Sequence, residues 1–269
     1  VTDTASGLIK TVTITFNAVD AIITVEDYEN VSLGAEIEIK ASEVSGAQKN
    51  VSVSVVAPDG SETTVQEGGT YKIGDTDGGW YTVKYTLTYG DSQTKTLEKT
   101  FYAGYADEIA SFENFDLDGQ KYDTNTAGTA TSTVEVSNEQ AYFGEYSMKF
   151  TNTNQYDRAQ INYSGGEGGG APRIESNDFN KIKLWVYSET AVSVTIAIQG
   201  GGANWGWITS TEAVTQLDAG WNEITLDRND ANMFEYIGAI FVDKKTEGTN
   251  GTPESIYIDC IRFVNETQA

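Results

Sequence analysis

The chain has 269 residues, 40 of them Asp or Glu against 17 Lys or Arg, giving a net charge of −23, with no His and one Cys. Such a surface repels phosphate backbones and anionic bilayers, which disfavours nucleic-acid and membrane-surface partners. The absence of His and the lone Cys argue against structural zinc and an internal disulfide. Apolar residues at 39% suffice for real cores, so the chain is not globally disordered, and its length favours two domains. Thr, Val, Tyr and Gly abound, Pro is scarce, and no stretch of ten or more residues keeps a helical period, so the fold class expected is all-β. No apolar run is long enough to span a bilayer. The chain opens without Met or a signal-like start, so it is expected to be a piece of a longer protein whose targeting segment lies elsewhere.

In chain order, residues 10–16 form the first strand-like run, with Val12, Ile14 and Phe16 on one face. Residues 22–25, 35–41 and 51–56 follow, the last ending in the turn Ala57-Pro58-Asp59-Gly60. After 71–73 come the alternating stretch 78–87, a turn at 89–92 and the run 94–102. About seven short strands at regular spacing make a sandwich pattern. Residues 53–60, the repeat Gly79-x-Tyr81-x-Val83-x-Tyr85-x-Leu87 and the Gly-containing turn before the last strand resemble bacterial Ig-like modules, over roughly 20–103. That resemblance implies a spacer. Trp80 is the exception, because it adjoins a strand start near the domain junction and could line a cleft there. Residues 103–107 are a linker too short for free swinging, so the expected domains are 1–104 and 105–269.

From Glu108 the pattern changes. Strand-like runs fall at 109–113, 131–137, 141–150, 155–163, 181–187, 192–198, 219–226, 237–242 and 255–263. In 155–163, Tyr156, Arg158, Gln160 and Asn162 share one face and Ala159, Ile161 and Tyr163 the other. Arg, Gln and Asn donate hydrogen bonds in fixed geometry, which suits hydroxyl-rich ligands. The alternative is an ordinary solvated strand face.

The other informative stretch is 199–210. Trp205 and Trp207 follow three glycines, and as strand residues they would point one way with Cα atoms ~7 Å apart. Two indoles side by side are either core or an exposed platform. No large apolar residues continue their face, which runs on to Thr209 and Thr211, so the platform is favoured. A neutral ligand with flat apolar faces, a sugar ring, suits it. Gln199 and Asn204 could add hydrogen bonds at its edge.

Five matching pieces lie in order across 108–265: the opening Phe112-Glu113, Gly144-x-x-Ser147-Met148-Lys149, Leu184-Trp185-Val186-Tyr187, Gly220-Trp221-Asn222-Glu223-Ile224 and Tyr257-Ile258-Asp259-x-Ile261-x-Phe263. They resemble the galactose-binding-like jelly rolls of carbohydrate-binding modules. The resemblance implies a structural Ca²⁺ held by Glu113, Asp259 and the carbonyl near Gly144, and carboxylates are natural Ca²⁺ ligands. It also implies that Trp185 and Trp221 pack the sheets. Cys260, inside an apolar strand, reads as a small buried residue.

No nucleophile elbow, phosphate loop or other catalytic signature appears, and 40 acidic residues guarantee chance carboxylate pairs. The expectation is therefore a non-enzyme: two tandem β-sandwiches of a secreted or bacterial cell-surface protein that bind polysaccharide beside further modules of the same chain. The layout resembles starch-adherence proteins of gut bacteria, implying a starch-type α-glucan. A β-mannan or β-glucan, a protein ligand, and a structural adhesin with no glycan are the alternatives.

Overall fold

Alternation at period two decides how each sheet packs. The computed structural model describes residues 22–28, 31–45, 50–113, 122–124, 133–152, 158–163, 179–201, 206–229, 236–244 and 254–266. Every element among them is a strand, and no helix is long and apolar enough to cross a membrane.

The first nine strands are β1 Ile22–Val25, β2 Val31–Ser32, β3 Glu36–Ile39, β4 Ala41–Ser45, β5 Asn50–Val56, β6 Glu62–Val65, β7 Gly69–Lys72, β8 Gly79–Tyr89 and β9 Gln93–Gly104. One sheet has the order β2-β9-β8-β5-β6, while β3 pairs with β7 and β1 with β4. Strand β8 buries Tyr81, Val83, Tyr85 and Leu87 and leaves the residues between them half-buried. Tyr81 stacks flat on Phe101, centroids 5.3 Å apart, and the buried Tyr85 phenol shares a 2.6 Å hydrogen bond with Tyr28. Residues 35–41, read as one strand, divide at Lys40 into β3 and β4, which belong to different sheets. Strand β6 escaped the sequence reading because this edge strand is largely exposed and carries no apolar alternation. The run 10–16 lies outside the described residues.

The remaining strands are β10 Glu108–Ala110, β11 Tyr122–Thr124, β12 Thr133–Ser137, β13 Ser147–Asn152, β14 Arg158–Tyr163, β15 Lys181–Ser188, β16 Val192–Gly201, β17 Gly206–Trp207, β18 Thr215–Leu217, β19 Gly220–Asp227, β20 Tyr236–Lys244 and β21 Glu254–Val264. One six-stranded sheet runs β12-β13-β21-β15-β19 with β10 added to β21. The other runs β11-β14-β20-β16-β17 with β18 added to β16. A core lies between them, with Phe150, Ile182, Leu184, Val186 and Ile258 from the first sheet and Val194, Ile196, Ile198 and Val242 from the second. It shares no residue with the core of the first nine strands. The chain is all-β, consistent with tandem sandwiches.

Strand β21 is irregular near its end. Ile256 and Ile258 enter the core, Cys260 adopts φ 49°, and Ile261 enters the core again. The pairing with β15 shifts register there, as at a β-bulge. Asp259, next to the inward-pointing Ile258, lies on the outer side of its sheet and is fully buried there. Cys260 is a fully buried free thiol, and burial pushes its pKa up, which suits a packing role.

Phe150 is fully buried where two sheets meet. Phe150→Ala should destabilise the chain by about 3–5 kcal/mol in urea unfolding followed by tryptophan fluorescence. A loss under about 1 kcal/mol would mean that this core collapses around the gap.

Candidate functional site

Residues singled out in separate stretches of sequence meet on the β11–β18 sheet, on the face turned away from its core. In β16, Ile196 and Ile198 point into the core, so Thr195, Ala197 and Gln199 belong to the other face. Gln199 lies opposite Trp207 of β17 on one side and Ala239 of β20 on the other, and Ala239 lies opposite Asn162 of β14. A second row is Gln160–Phe241–Ala197 and a third is Arg158–Asp243–Thr195. Register alone therefore brings positions 158, 160, 162, 199 and 207 onto one face in adjacent rows. The side chains of Arg158, Gln160 and Asn162, and all of Tyr156, Asn204 and Trp205, lie outside the described residues.

Trp207 is positioned by its C-terminal neighbours. Strand β17 is two residues long, shorter than a strand running on to Thr209, because beyond Trp207 the Thr209 side chain takes the place of a backbone acceptor. The Ile208 N–H donates to the Ile198 carbonyl at 2.9 Å, and the Thr209 hydroxyl accepts from the Ile198 N–H at 2.9 Å. Ile208 and Thr209 are buried, while Trp207 and Gln199 stay half-buried as a cross-strand pair. A fixed backbone thus carries a half-buried indole beside a half-buried primary amide. The arrangement can stack one face of a flat ligand and hydrogen-bond its edge.

The candidate metal residues meet elsewhere, at the loop before β13. Glu113 Oε1 accepts the N–H groups of Glu145 and Tyr146 at 2.9 and 2.7 Å, and Oε2 accepts the Trp80 indole N–H at 2.5 Å. Asp259 Oδ2 accepts the N–H groups of Tyr142 and Phe143 at 2.8 and 3.3 Å, and Oδ1 that of Cys260 at 2.8 Å. Gly144, at φ 74°, is required, since a Cβ there would stand 2.4 Å from the Glu113 carboxyl carbon. Sequence reasoning grouped these residues, but each carboxylate faces N–H donors. No group of three or more His, Cys, Asp or Glu able to hold a metal occurs among the described residues. Ca²⁺ takes six to eight oxygens, so this donor set, as placed, fits a carboxylate clasped by amides and not an ion cage.

Trp80 does sit at the junction, but in a structural bond. Its ring meets Tyr102 edge-on at 5.8 Å, and its N–H is given to Glu113. Sequence reasoning missed Glu108, which accepts from the Tyr105 N–H at 3.1 Å and the Tyr102 hydroxyl at 3.3 Å. Nothing in a lone Glu at a strand start signalled its burial. Burial pushes its carboxyl up to about 7 despite these donors, and burial raises Glu113 and Asp259 in the same direction.

No protein-family profile matches the chain, and no curated protein is similar to it. Solved structures do resemble it. A carbohydrate-binding module from the β-sandwich superfamily is 20% identical with a TM-score of 0.44, covering 92% of this chain and 97% of that one. The family 11 carbohydrate-binding module from Clostridium thermocellum, in complex with a β-1,3-1,4-mixed-linked tetrasaccharide, is 13% identical with a TM-score of 0.41, covering 61% and 97%. The N-terminal CBM22-1–CBM22-2 tandem domain of Paenibacillus barcinonensis Xyn10C is 11% identical with a TM-score of 0.37, covering 86% and 77%. At these scores the likeness adds nothing to what the residues themselves say about ligand or site.

Two measurements check the junction. Adding Ca²⁺ or a chelator should leave the thermal midpoint unchanged, whereas a rise with Ca²⁺ would show that the 142–146 loop opens to an ion. The second is pH. A carboxyl whose folded pKa is raised holds a proton that the unfolded chain has already released, so stability falls as pH rises from about 4.5 to about 7 and levels off above. Glu108→Gln should flatten part of that fall in urea titrations, and a variant curve parallel to the wild type would contradict the assignment.

Proposed function

We propose that this chain binds polysaccharide without catalysis, holding a secreted or bacterial cell-surface protein to its glycan. The observation that carries the reading is the row Asn162–Ala239–Gln199–Trp207 on the face turned away from the core. A half-buried indole beside Gln, with Arg158, Gln160 and Asn162 in the adjoining positions, has the chemistry of a sugar site: a flat apolar surface bordered by neutral and cationic donors. Trp205, Tyr156 and Asn204 complete the site in this reading. The net charge of −23 weighs against polyanionic glycans and for a neutral one.

The glycan is a starch-type α-glucan. Neighbouring indoles such as Trp205 and Trp207 would, if held out of one plane, suit a curved chain better than a flat crystalline surface. Residues 1–104 act as an Ig-like spacer and 105–269 as the binding module. A shallow site of this kind gives a Kd on the order of micromolar to millimolar, so retention depends on further modules of the same longer protein.

Affinity electrophoresis through gels holding amylopectin, galactomannan, xylan or mixed-linkage glucan tests this directly. The wild type should be retarded by amylopectin, and Trp207→Ala should weaken that retardation at least tenfold, with Gln199→Ala intermediate. Retardation only by galactomannan or mixed-linkage glucan would replace the α-glucan assignment with a β-mannan or β-glucan. No retardation by any of them would move the chain to the structural adhesins.

A further inference from the structure

The sheet that does not carry Trp207 has an aromatic row of its own. In β15 the inward residues Ile182, Leu184 and Val186 are completely buried, so Trp185 and Tyr187 stand on the outer face. In β19, Ile224 and Leu226 point in, which places Trp221 outside as well. Tyr187 lies directly opposite Trp221 on one side and Tyr257 on the other, and Tyr257 lies opposite Lys149. The rings follow one another across the strands at 5.5 and 5.8 Å.

The two tryptophans on this face differ in their surroundings. Trp185 is sealed. Tyr142 stacks on it at 3.8 Å and 11°, and its indole N–H donates to the Tyr105 hydroxyl at 3.2 Å. Trp221 meets its two ring partners, Tyr142 and Tyr187, at 70° and 60°, with no ring lying flat on it among the described residues. Its indole N–H has no acceptor among them either. Asn222 fixes the turn that presents it: the side chain accepts from the Asp218 N–H at 3.1 Å and donates to the Asp218 and Gly220 carbonyls, each at 2.9 Å.

The border of the row decides the chemistry of its ligand. Lys149 is bonded to Glu139 at 2.7 Å, and Arg262 is bonded to Glu223, so these charges are closed on themselves. A chain of −23 offers no attraction to an anion here, and the paired rim offers none to a cation. Aliphatic side chains that would mark a protein contact are absent: the large hydrophobics that stand exposed among the described residues are Ile22 and Val214, neither on this sheet. What remains is a row in which Tyr257 is buried and Tyr187 and Trp221 are half-buried, ending in an indole N–H with no acceptor among the described residues. That suits a neutral chain whose units repeat at about one ring per strand spacing, ~4.8 Å.

We propose that the Trp221–Tyr187 row is a second glycan site, back to back with the Trp207 face across the core of the sandwich. The proposal rests on the neutral-glycan reading above. Two opposed faces let one module bridge two polysaccharide chains or grip one at two points, which multiplies retention without a tighter single site.

The test uses four full-length proteins on the same four glycan gels: wild type, Trp207→Ala, Trp221→Leu/Tyr187→Leu, and the combination, with equal thermal midpoints as the folding check. Trp207→Ala should keep a residual retardation at least tenfold weaker than the wild type, Trp221→Leu/Tyr187→Leu a several-fold weaker one, and the combination should lose it. Wild-type mobility shifts in Trp221→Leu/Tyr187→Leu, with all retardation lost in Trp207→Ala, would overturn this proposal and leave the first reading standing. The converse pattern would support this row and remove the first face. No retardation of the wild type would overturn both. A measurement on the unaltered chain guards against misfolded variants. The Trp221 indole ¹H–¹⁵N resonance, assigned with Trp221→Phe, should shift as the retarding glycan is added, and a stationary resonance would overturn the row.

Discussion

Glu113 is the residue on which the relation between the two sandwiches turns. Its carboxylate takes two backbone N–H groups from the loop before β13 with one oxygen and the Trp80 indole with the other. Leaving such donors unpaired in a buried place would cost roughly 1–3 kcal/mol each. Asp259 holds the first half of the same loop in the same manner. The loop is thus fixed from both sides, and it carries Tyr142 onto Trp185 and Phe143 against Gly78 of the first sandwich. A Cβ on Gly78 would stand 2.3 Å from the Phe143 ring, so the contact needs glycine. The sandwiches are joined by a packed seam as well as by the connection at 105–107, which is shorter than the expected linker at 103–107 because Ala103 and Gly104 are paired within β9.

That seam has a functional consequence. It engages Trp80, Trp185 and Tyr105 in hydrogen bonds and ring contacts, while Trp207 and Trp221 stand half-buried on opposite sheets. Both are presented by backbone that is pinned elsewhere, Trp207 through the Ile198–Thr209 hydrogen bonds and Trp221 through the Asn222 side chain. Sites on such prearranged backbone lose little freedom when a ligand binds. Burial raises the pKa values of the seam carboxylates, and the amide N–H groups that clasp them work against that rise by stabilising the ionised form.

The fold class was legible because strands such as β8 and β15 alternate without a break. The face of the candidate site was legible for the same reason: Arg158, Gln160 and Asn162 are two apart, and period two put them together before any register was known. That Gln199 and Trp207 would stand opposite each other was not legible, since cross-strand register depends on the turn between them. The grouping of Glu113, Gly144 and Asp259 came from resemblance and not from spacing, and the bulge at Cys260 leaves no mark in the sequence. The resemblance assigns Trp221 to sheet packing, and the alternation of Ile224 and Leu226 puts that packing on the outer face. In β15 the run Leu184-Trp185-Val186-Tyr187 is apolar on both faces, which hides which side is the core.

Calorimetric titration of the wild-type chain with a soluble maltooligosaccharide tests glycan binding at the Trp207 face most directly. Saturable heat is expected, with a Kd on the order of micromolar to millimolar, removed in large part by Trp207→Ala. No heat with this ligand, or with gluco-, manno- or xylo-oligosaccharides at millimolar concentration, would contradict a glycan-binding role.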